Sequence, residues 1–256
     1  MKQLRTVTFN TWNCQGQLEA RLALMEAGLQ ALDGDIILLQ EVYSEVPSGL
    51  NVADHLAQSL NLNVAFAPAR KKIRTYRNDP VLCHSGLAVL SKGNISDQST
   101  RQLPQDERDG ERLAQFVSLQ MEGNRVLVAN THLSHLSDAG DLRRHELEVL
   151  AAHLEDCPPH DMVIVGGDMN ADETDDVFNV LAGFQAFPVS TVSDTTLNAV
   201  NGASPKPGFI DHLFVAAQDG ELEGLATLAL DQRVGPLDLF PSDHKAVVLD
   251  LPLNPS

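Results

Sequence analysis

The stretch Asp35–Val42, DIILLQEV, carries four consecutive large apolar residues with almost no alternation. A half-exposed strand alternates apolar and polar side chains with period two, so a run that does not alternate reads as buried on both faces. A second run, MVIVGG at residues 162–167, makes the same demand. The chain therefore needs sheet covered on both sides, and the cover is written between the runs. Leu18, Leu22, Met25, Leu29 and Leu32 recur at helical spacing, which predicts an amphipathic helix after a break at Gly16. Further helices are expected over Val52–Leu60, Leu142–Leu154 and Val177–Ala182. RTVTFNTWN alternates as a strand should, with Val7, Phe9, Thr11 and Asn13 on one face. Other strands are expected at NVAFA, SGLAVLS, AQFVSLQM, RVLVANTHL, FIDHLFVA, LATLAL and KAVVLDL. This order mixes β-α-β units with hairpin-like pairs, which implies a mixed sheet or two stacked sheets with helices outside.

No Pro/Gly/Ser-rich linker divides the chain, and with 43% hydrophobic residues it can build a large core, so residues 1–256 read as a single domain. Two long segments, PARKKIRTYRNDPVLCH and SDTTLNAVNGASPKPG, read as loops. Acids outnumber bases 35 to 18, a net charge of −17, which argues against broad attraction to nucleic acid or anionic membrane. It leaves phosphate-bearing substrates open, because a bound cation inverts the local field. The three cysteines are scattered without C-x-x-C spacing, which speaks against a disulfide framework or structural zinc. No apolar run approaches membrane-spanning length and no secretory h-region opens the chain; the expectation is a cytoplasmic protein without a membrane span.

Several expected strands end in polar residues suited to a metal or a phosphate. Asn13 follows the first, Glu41 follows IILLQ, His132 follows VLVANT, and Asp168 and Asn170 follow VIVGG. Asp211 lies in GFIDHLFV, and Ser242, Asp243 and His244 precede the last strand. Each has a plain reading as a solvated charge, a core histidine or a turn. His132 and His135 of HLSH lack a third zinc ligand at a fitting spacing. A calcium loop starting at Asp168 fails, because its sixth position is Glu173 where glycine is needed and its twelfth is Asn179. Thr174 or Asp175 can cap the helix near Val177, and the neighbouring acids suit its positive end. Capping leaves Asp168 and Asn170 unexplained.

Taken together, TWNCQG, LQEV, NTHL, GDMN, FIDHLF and SDH resemble, in order, the motifs of the endonuclease/exonuclease/phosphatase superfamily. The resemblance implies an α/β four-layer sandwich of the DNase I-like kind, with two mixed β-sheets flanked by helices. It also implies metal-assisted attack of water on phosphorus. In that pattern Glu41 is the principal Mg²⁺ or Mn²⁺ ligand, with Asn13 beside it and Asp243 supporting the metal or the histidine. Asp168 and Asn170 position or activate the water and hold the phosphate, Asp211 orients His244, and His132 binds phosphoryl oxygens or assists the leaving group. TFN at residues 8–10 also fits the first motif, but Asn13 is preferred for its distance to Gly16 and its shared strand face. Gln15 stands where many relatives carry Asp or Asn, which weakens the case for a second metal.

The substrate is read from ARKKIRTYR, a basic stretch in an acidic protein. Arg74, Tyr76 and Arg77 are candidates for phosphate and base contacts, and Arg143 for a contact from the helix after THL. The expected activity is a phosphodiesterase or nuclease on nucleic acid or a nucleotide-like substrate. A sphingomyelinase-like or inositol-phosphate-directed enzyme is the alternative, and a non-catalytic scaffold the minor one.

Overall fold

The computed structural model describes residues 2–190, 193–200, 207–218, 220 and 222–253. Two mixed six-stranded sheets pack face to face. In the first, the spatial order is β11 (Leu225–Ala229), β12 (Ala246–Leu253), β1 (Lys2–Asn10), β2 (Ile36–Glu45), β4 (Asp79–Ser91) and β3 (Asn63–Tyr76). In the second it is β5 (Asn94–Gln102), β6 (Leu113–Met121), β7 (Asn124–His132), β8 (Met162–Asp168), β10 (Asp211–Ala217) and β9 (Gln185–Ala186). The helices α1 (Leu18–Leu32) and α2 (Val52–Leu60) cover the first sheet, and α3 (Gly140–Asp156) with a 3₁₀ turn at Asp176–Leu181 covers the second.

This layering explains the unalternating runs. In β2, Ile36 and Leu38 enter the core between the sheets, while Ile37 and Leu39 enter the core beneath α1 and α2. In β8, Ile164 faces inward and Val165 packs towards α3 with Phe214, Leu147 and Leu150. Both faces are apolar because both are covered, and each fully buried Leu or Ile contributes roughly 1.5–3 kcal/mol.

The structure corrects four expectations. β1 stops at Asn10, and Trp12 and Asn13 turn into the left-handed region at φ 57° and 49°, so Asn13 does not continue the Val7/Phe9 face. The basic stretch is no loop; it is the outer half of the β3–β4 hairpin, closed by Arg77 and Asn78, both at positive φ as a tight hairpin turn requires. β5, NISDQSTRQ, was not foreseen, because it is an almost wholly exposed edge strand without an apolar face. The turn over Asp176–Leu181 is 3₁₀ rather than α, capped by Asp175 accepting from Val177 N at 3.2 Å. Of SDTTLNAVNGASPKPG, residues 201–206 lie outside the described residues. In the described part, Asn198 Nδ2 donates to the carbonyls of Leu230, Ser242 and His244 and so fixes the approach to β12. Among the described residues, no helix is long and apolar enough to cross a membrane.

Candidate active site

β1 runs parallel to β2 and β7 parallel to β8, so these four strands finish at one edge of the sandwich. β12 runs antiparallel to β1, and β10 antiparallel to β8, so both begin at that edge. Topology alone therefore gathers Asn10, Glu41, His132, Asp168, Asp211 and His244, which lie far apart in sequence. In the second sheet His132, Asp168 and Asp211 are direct cross-strand neighbours.

The two glycines of MVIVGGD serve this close approach rather than a turn, since both lie within β8. A Cβ on Gly166 would come within 2.5 Å of Leu213, and one on Gly167, at φ 140°, would run into the Thr131 carbonyl. Below the edge, polar side chains are tied together between the sheets. Gln40 Nε2 donates to Asn130 Oδ1 at 2.8 Å, and Asn130 Nδ2 donates to the carbonyls of Leu39 and Ala88.

Asp168 is buried at the centre. Its Oδ2 accepts from Asn10 Nδ2 at 2.9 Å and lies 3.3 Å from His132 Nε2 and 3.7 Å from His244 Nε2; its Oδ1 accepts from the Asn170 amide at 3.1 Å. Asn170 also donates from Nδ2 to Leu133 O at 3.0 Å. Asp211 is fully buried and pairs with His244 Nδ1 at 2.9 Å. Ser242 accepts the His244 amide and donates to Asn10 O, tying the SDH turn to the end of β1.

Burial sets the charges here. It pushes the Asp168 carboxyl up to about 7, with Asp211 adding to the rise and His244 opposing it. Burial also works against charge on His244, but Asp211 and Asp168 outweigh it and hold the imidazole well above its ordinary value. His132 goes the other way: burial, then the cationic Arg112, holds it well below the usual range, so it is neutral. Desolvation raises Asp243 to about 6, with His244 opposing.

Two oxygen-bearing sets face a metal question. The ligand atoms of Asp168, Asp211 and His244 lie within 4.8 Å of one another. That group is already committed internally, since His244 bonds Asp211 through Nδ1. Glu41 instead sits with Asn13, whose Nδ2 donates to Glu41 Oε2 and to Ser85 Oγ, each at 2.8 Å. Asn13 Oδ1 is left buried with no hydrogen-bond partner. A carboxylate beside an orphaned carbonyl oxygen, with Asp243 close enough for the Glu41 charge to raise its pKa, is a hard-oxygen donor set that fits a divalent cation.

A cavity of about 260 Å³ opens over these groups, lined among others by Glu41, Ser85, His132, Asp168, Asn170 and His244. Of the substrate-contact candidates, only Arg74 lines it. Tyr76 is withdrawn beneath the hairpin, where its hydroxyl donates to Glu19 at 2.9 Å and its ring packs 5.2 Å from Tyr43. Arg77, at the hairpin tip, pairs with the same Glu19 at 2.6 Å. Arg143 is buried and donates to the carbonyls of Ser134 and Leu136, which makes it part of the scaffold rather than a substrate contact. The structure adds Asn10, Ser85 and His135, and of the other basic residues in and after the basic stretch it brings Arg70 and Arg112 to the cavity. Asn10 was legible as the alternative first motif, whereas Arg70 and Arg112 reach the cavity through a hairpin and a loop that periodicity does not place.

The chain matches the Endonuclease/Exonuclease/phosphatase family over residues 10–244. Its fold is that of truncated Caenorhabditis elegans TDP2, at 18% identity and a TM-score of 0.69, covering 97% of each chain. A Bacteroides thetaiotaomicron mannosyl-6-phosphatase is similar at 18% identity and a TM-score of 0.73, over 98% of this chain and 100% of that one. A family protein from Beutenbergia cavernae is similar at 19% identity and a TM-score of 0.73, over 99% of this chain and 72% of that one. No curated protein sequence matches the chain. With the match running from Asn10 to His244 and the DNase I-like sandwich in place, the chain belongs to the endonuclease/exonuclease/phosphatase family, whose members are phosphoester hydrolases.

Proposed function

We propose that this protein hydrolyses phosphodiesters of nucleic acid or nucleotide-like substrates with the help of Mg²⁺ or Mn²⁺. The observation that carries the reading is the single carboxylate, Asp168, gathered by Asn10, His132 and His244 at a cavity whose lining also includes Glu41, itself hydrogen-bonded by Asn13. A cation held by Glu41, Asn13 Oδ1 and Asp243 would supply neutralisation of phosphoryl and leaving-oxygen charge. The remaining roles belong to the chain's own side chains. Asp168, raised to about 7, is basic enough to take a proton from water near neutral pH. Its two oxygens are oriented by Asn10 and the Asn170 amide, which keep it aimed. His244, charged and fixed by Asp211, presents Nε2 as a cationic donor to a phosphoryl oxygen. His132, neutral, presents a second donor without adding charge.

A second reading is favoured by one observation: among the described residues, no Phe, Tyr or Trp lines the cavity. Recognition there runs through charge rather than base stacking, which also suits a phosphorylated small molecule such as an inositol phosphate. The test is a panel of end-labelled single- and double-stranded DNA and RNA with Mg²⁺ or Mn²⁺, run beside inositol and sugar phosphates. Metal-dependent cutting of an oligonucleotide, absent in Asp168→Asn, supports the first reading. Turnover of the small phosphates alone replaces it with the second.

A further inference from the structure

Period-two alternation in β3 places Arg70, Lys72 and Arg74 on one face of the hairpin, half-buried, and the exposed Lys71, Ile73 and Thr75 on the other. Arg70 and Arg74 line the catalytic cavity, and Arg112 joins them from the loop before β6. Three like charges at alternate positions repel one another and call for an anion. Glu41 and Asp168 line the same cavity, but both are committed within the catalytic cluster, to Asn13 and Asn10. Arg74 and Lys72 make no ion pair among the described residues, and Arg74 Nε is buried without a hydrogen-bond partner. Among the described residues Arg70 pairs only with Asp109, at 4.0 Å, and that buried carboxylate is already taken by Arg112 at 2.6 Å and His135 at 2.7 Å. Burial, then Arg74 and Arg70, lowers the Lys72 pKa, with Glu41 opposing. The lining also includes Glu111, but it is exposed and solvent screens it.

The backbone makes room for this stripe. Gly110 sits at φ 92°, which favours glycine, and a Cβ there would lie 2.9 Å from Arg70 Nε and push the guanidinium aside. Asp109 meanwhile fixes Arg112 through both Nε and Nη2.

We infer that Arg70, Lys72, Arg74 and Arg112 form a second anion subsite, so that the preferred substrate carries a further phosphate beside the one attacked. The inference rests on the phosphoesterase reading of the adjoining cluster and narrows its substrate to bisphosphorylated molecules or a backbone with adjacent phosphates.

The test compares thymidine 5′-(p-nitrophenyl phosphate) with the same ester bearing a 3′-phosphate, using the metal-loaded full chain. The expected result is a kcat/KM about tenfold or more higher for the bisphosphate, carried in KM. In Arg74→Gln, and in Gly110→Ala through displacement of Arg70, that ratio should fall towards one. Binding to Asp168→Asn, read by calorimetry, supplies an arm independent of turnover. There thymidine 3′,5′-bisphosphate is compared with thymidine 5′-monophosphate, and inositol 1,4-bisphosphate with inositol 1-phosphate. Tighter binding of one bisphosphate, lost in the Arg74→Gln background, identifies the source of the second phosphate. If neither ester is cleaved but that difference persists, the subsite stands and the proposed reaction falls. If the esters are cleaved equally and neither bisphosphate binds more tightly than its partner, the subsite is overturned while the reaction stands.

Discussion

At the scale of single residues, the candidate site is built by burying ionisable groups against one another. Asp211 touches no cavity surface; it acts by holding His244 charged and oriented. Asp211→Asn is therefore expected to lower the rate by about 10²–10⁴-fold. The pH–rate profile should lose its upper limb to lower pH as the histidine loses its counter-charge, a shift that general loosening would not produce. Glu146 shows the cost of burial away from the chemistry. It is fully buried, burial raises it to about 7 although the Ser134 amide opposes this, and one of its oxygens has no partner. A carboxyl raised in the folded state contributes stability that is complete below about pH 4.5 and is lost as pH rises through about 7. Stability should thus fall on the order of 2 kcal/mol across that window, and Glu146→Gln should flatten the change in urea midpoints measured at pH 5 and 7.5. Most site residues were legible because they sit at the ends of apolar runs. The choice between Asn10 and Asn13 was not, since both follow alternating positions and only the left-handed turn at Trp12 and Asn13 separates them.

At the scale of elements, the site depends on what holds the turn between β1 and α1. Arg21, on α1, is buried and donates to five carbonyls, those of Thr11, Trp12, Asn13, Gln15 and Pro241. It clasps the Asn13 turn to the segment leading into SDH. Burial lowers its pKa to about 10, with Asp243 opposing, so it remains charged at neutral pH. Arg21→Met keeps the packing volume but strands those carbonyls, and a loss of roughly 3–5 kcal/mol is expected, visible as a lower Tm. The helix itself was readable from its leucine spacing; the role of Arg21 was not, because a polar residue on a helix gives no sign of which loop it meets. The β3–β4 hairpin was misread for a related reason. Its outer half alternates cations with other polar residues, so the strand period is present but its hydrophobic signal is missing.

At the scale of the whole molecule, two sheets cross-connected in sequence converge their strand ends on one edge. The chain carries a net charge of −17, yet Arg70, Arg74 and Arg112 line the cavity, so the local field there can favour an anion that the overall charge opposes. The sandwich was legible because buried strands and covering helices each leave a periodic trace. The cavity wall was not, because it comes from residues that meet only once both sheets are formed. In the proposed reaction Glu41 and its neighbours hold a divalent cation without which Asp168 and His244 do not act. The most direct measurement is hydrolysis of bis(p-nitrophenyl) phosphate with increasing Mg²⁺ after EDTA treatment, with Tm followed in the same samples for wild type and Glu41→Gln. This role for the cation predicts no turnover without metal, saturable recovery with it, and a metal-dependent rise in Tm that Glu41→Gln lacks. Full turnover in EDTA, or an unchanged metal response in Glu41→Gln, would contradict it.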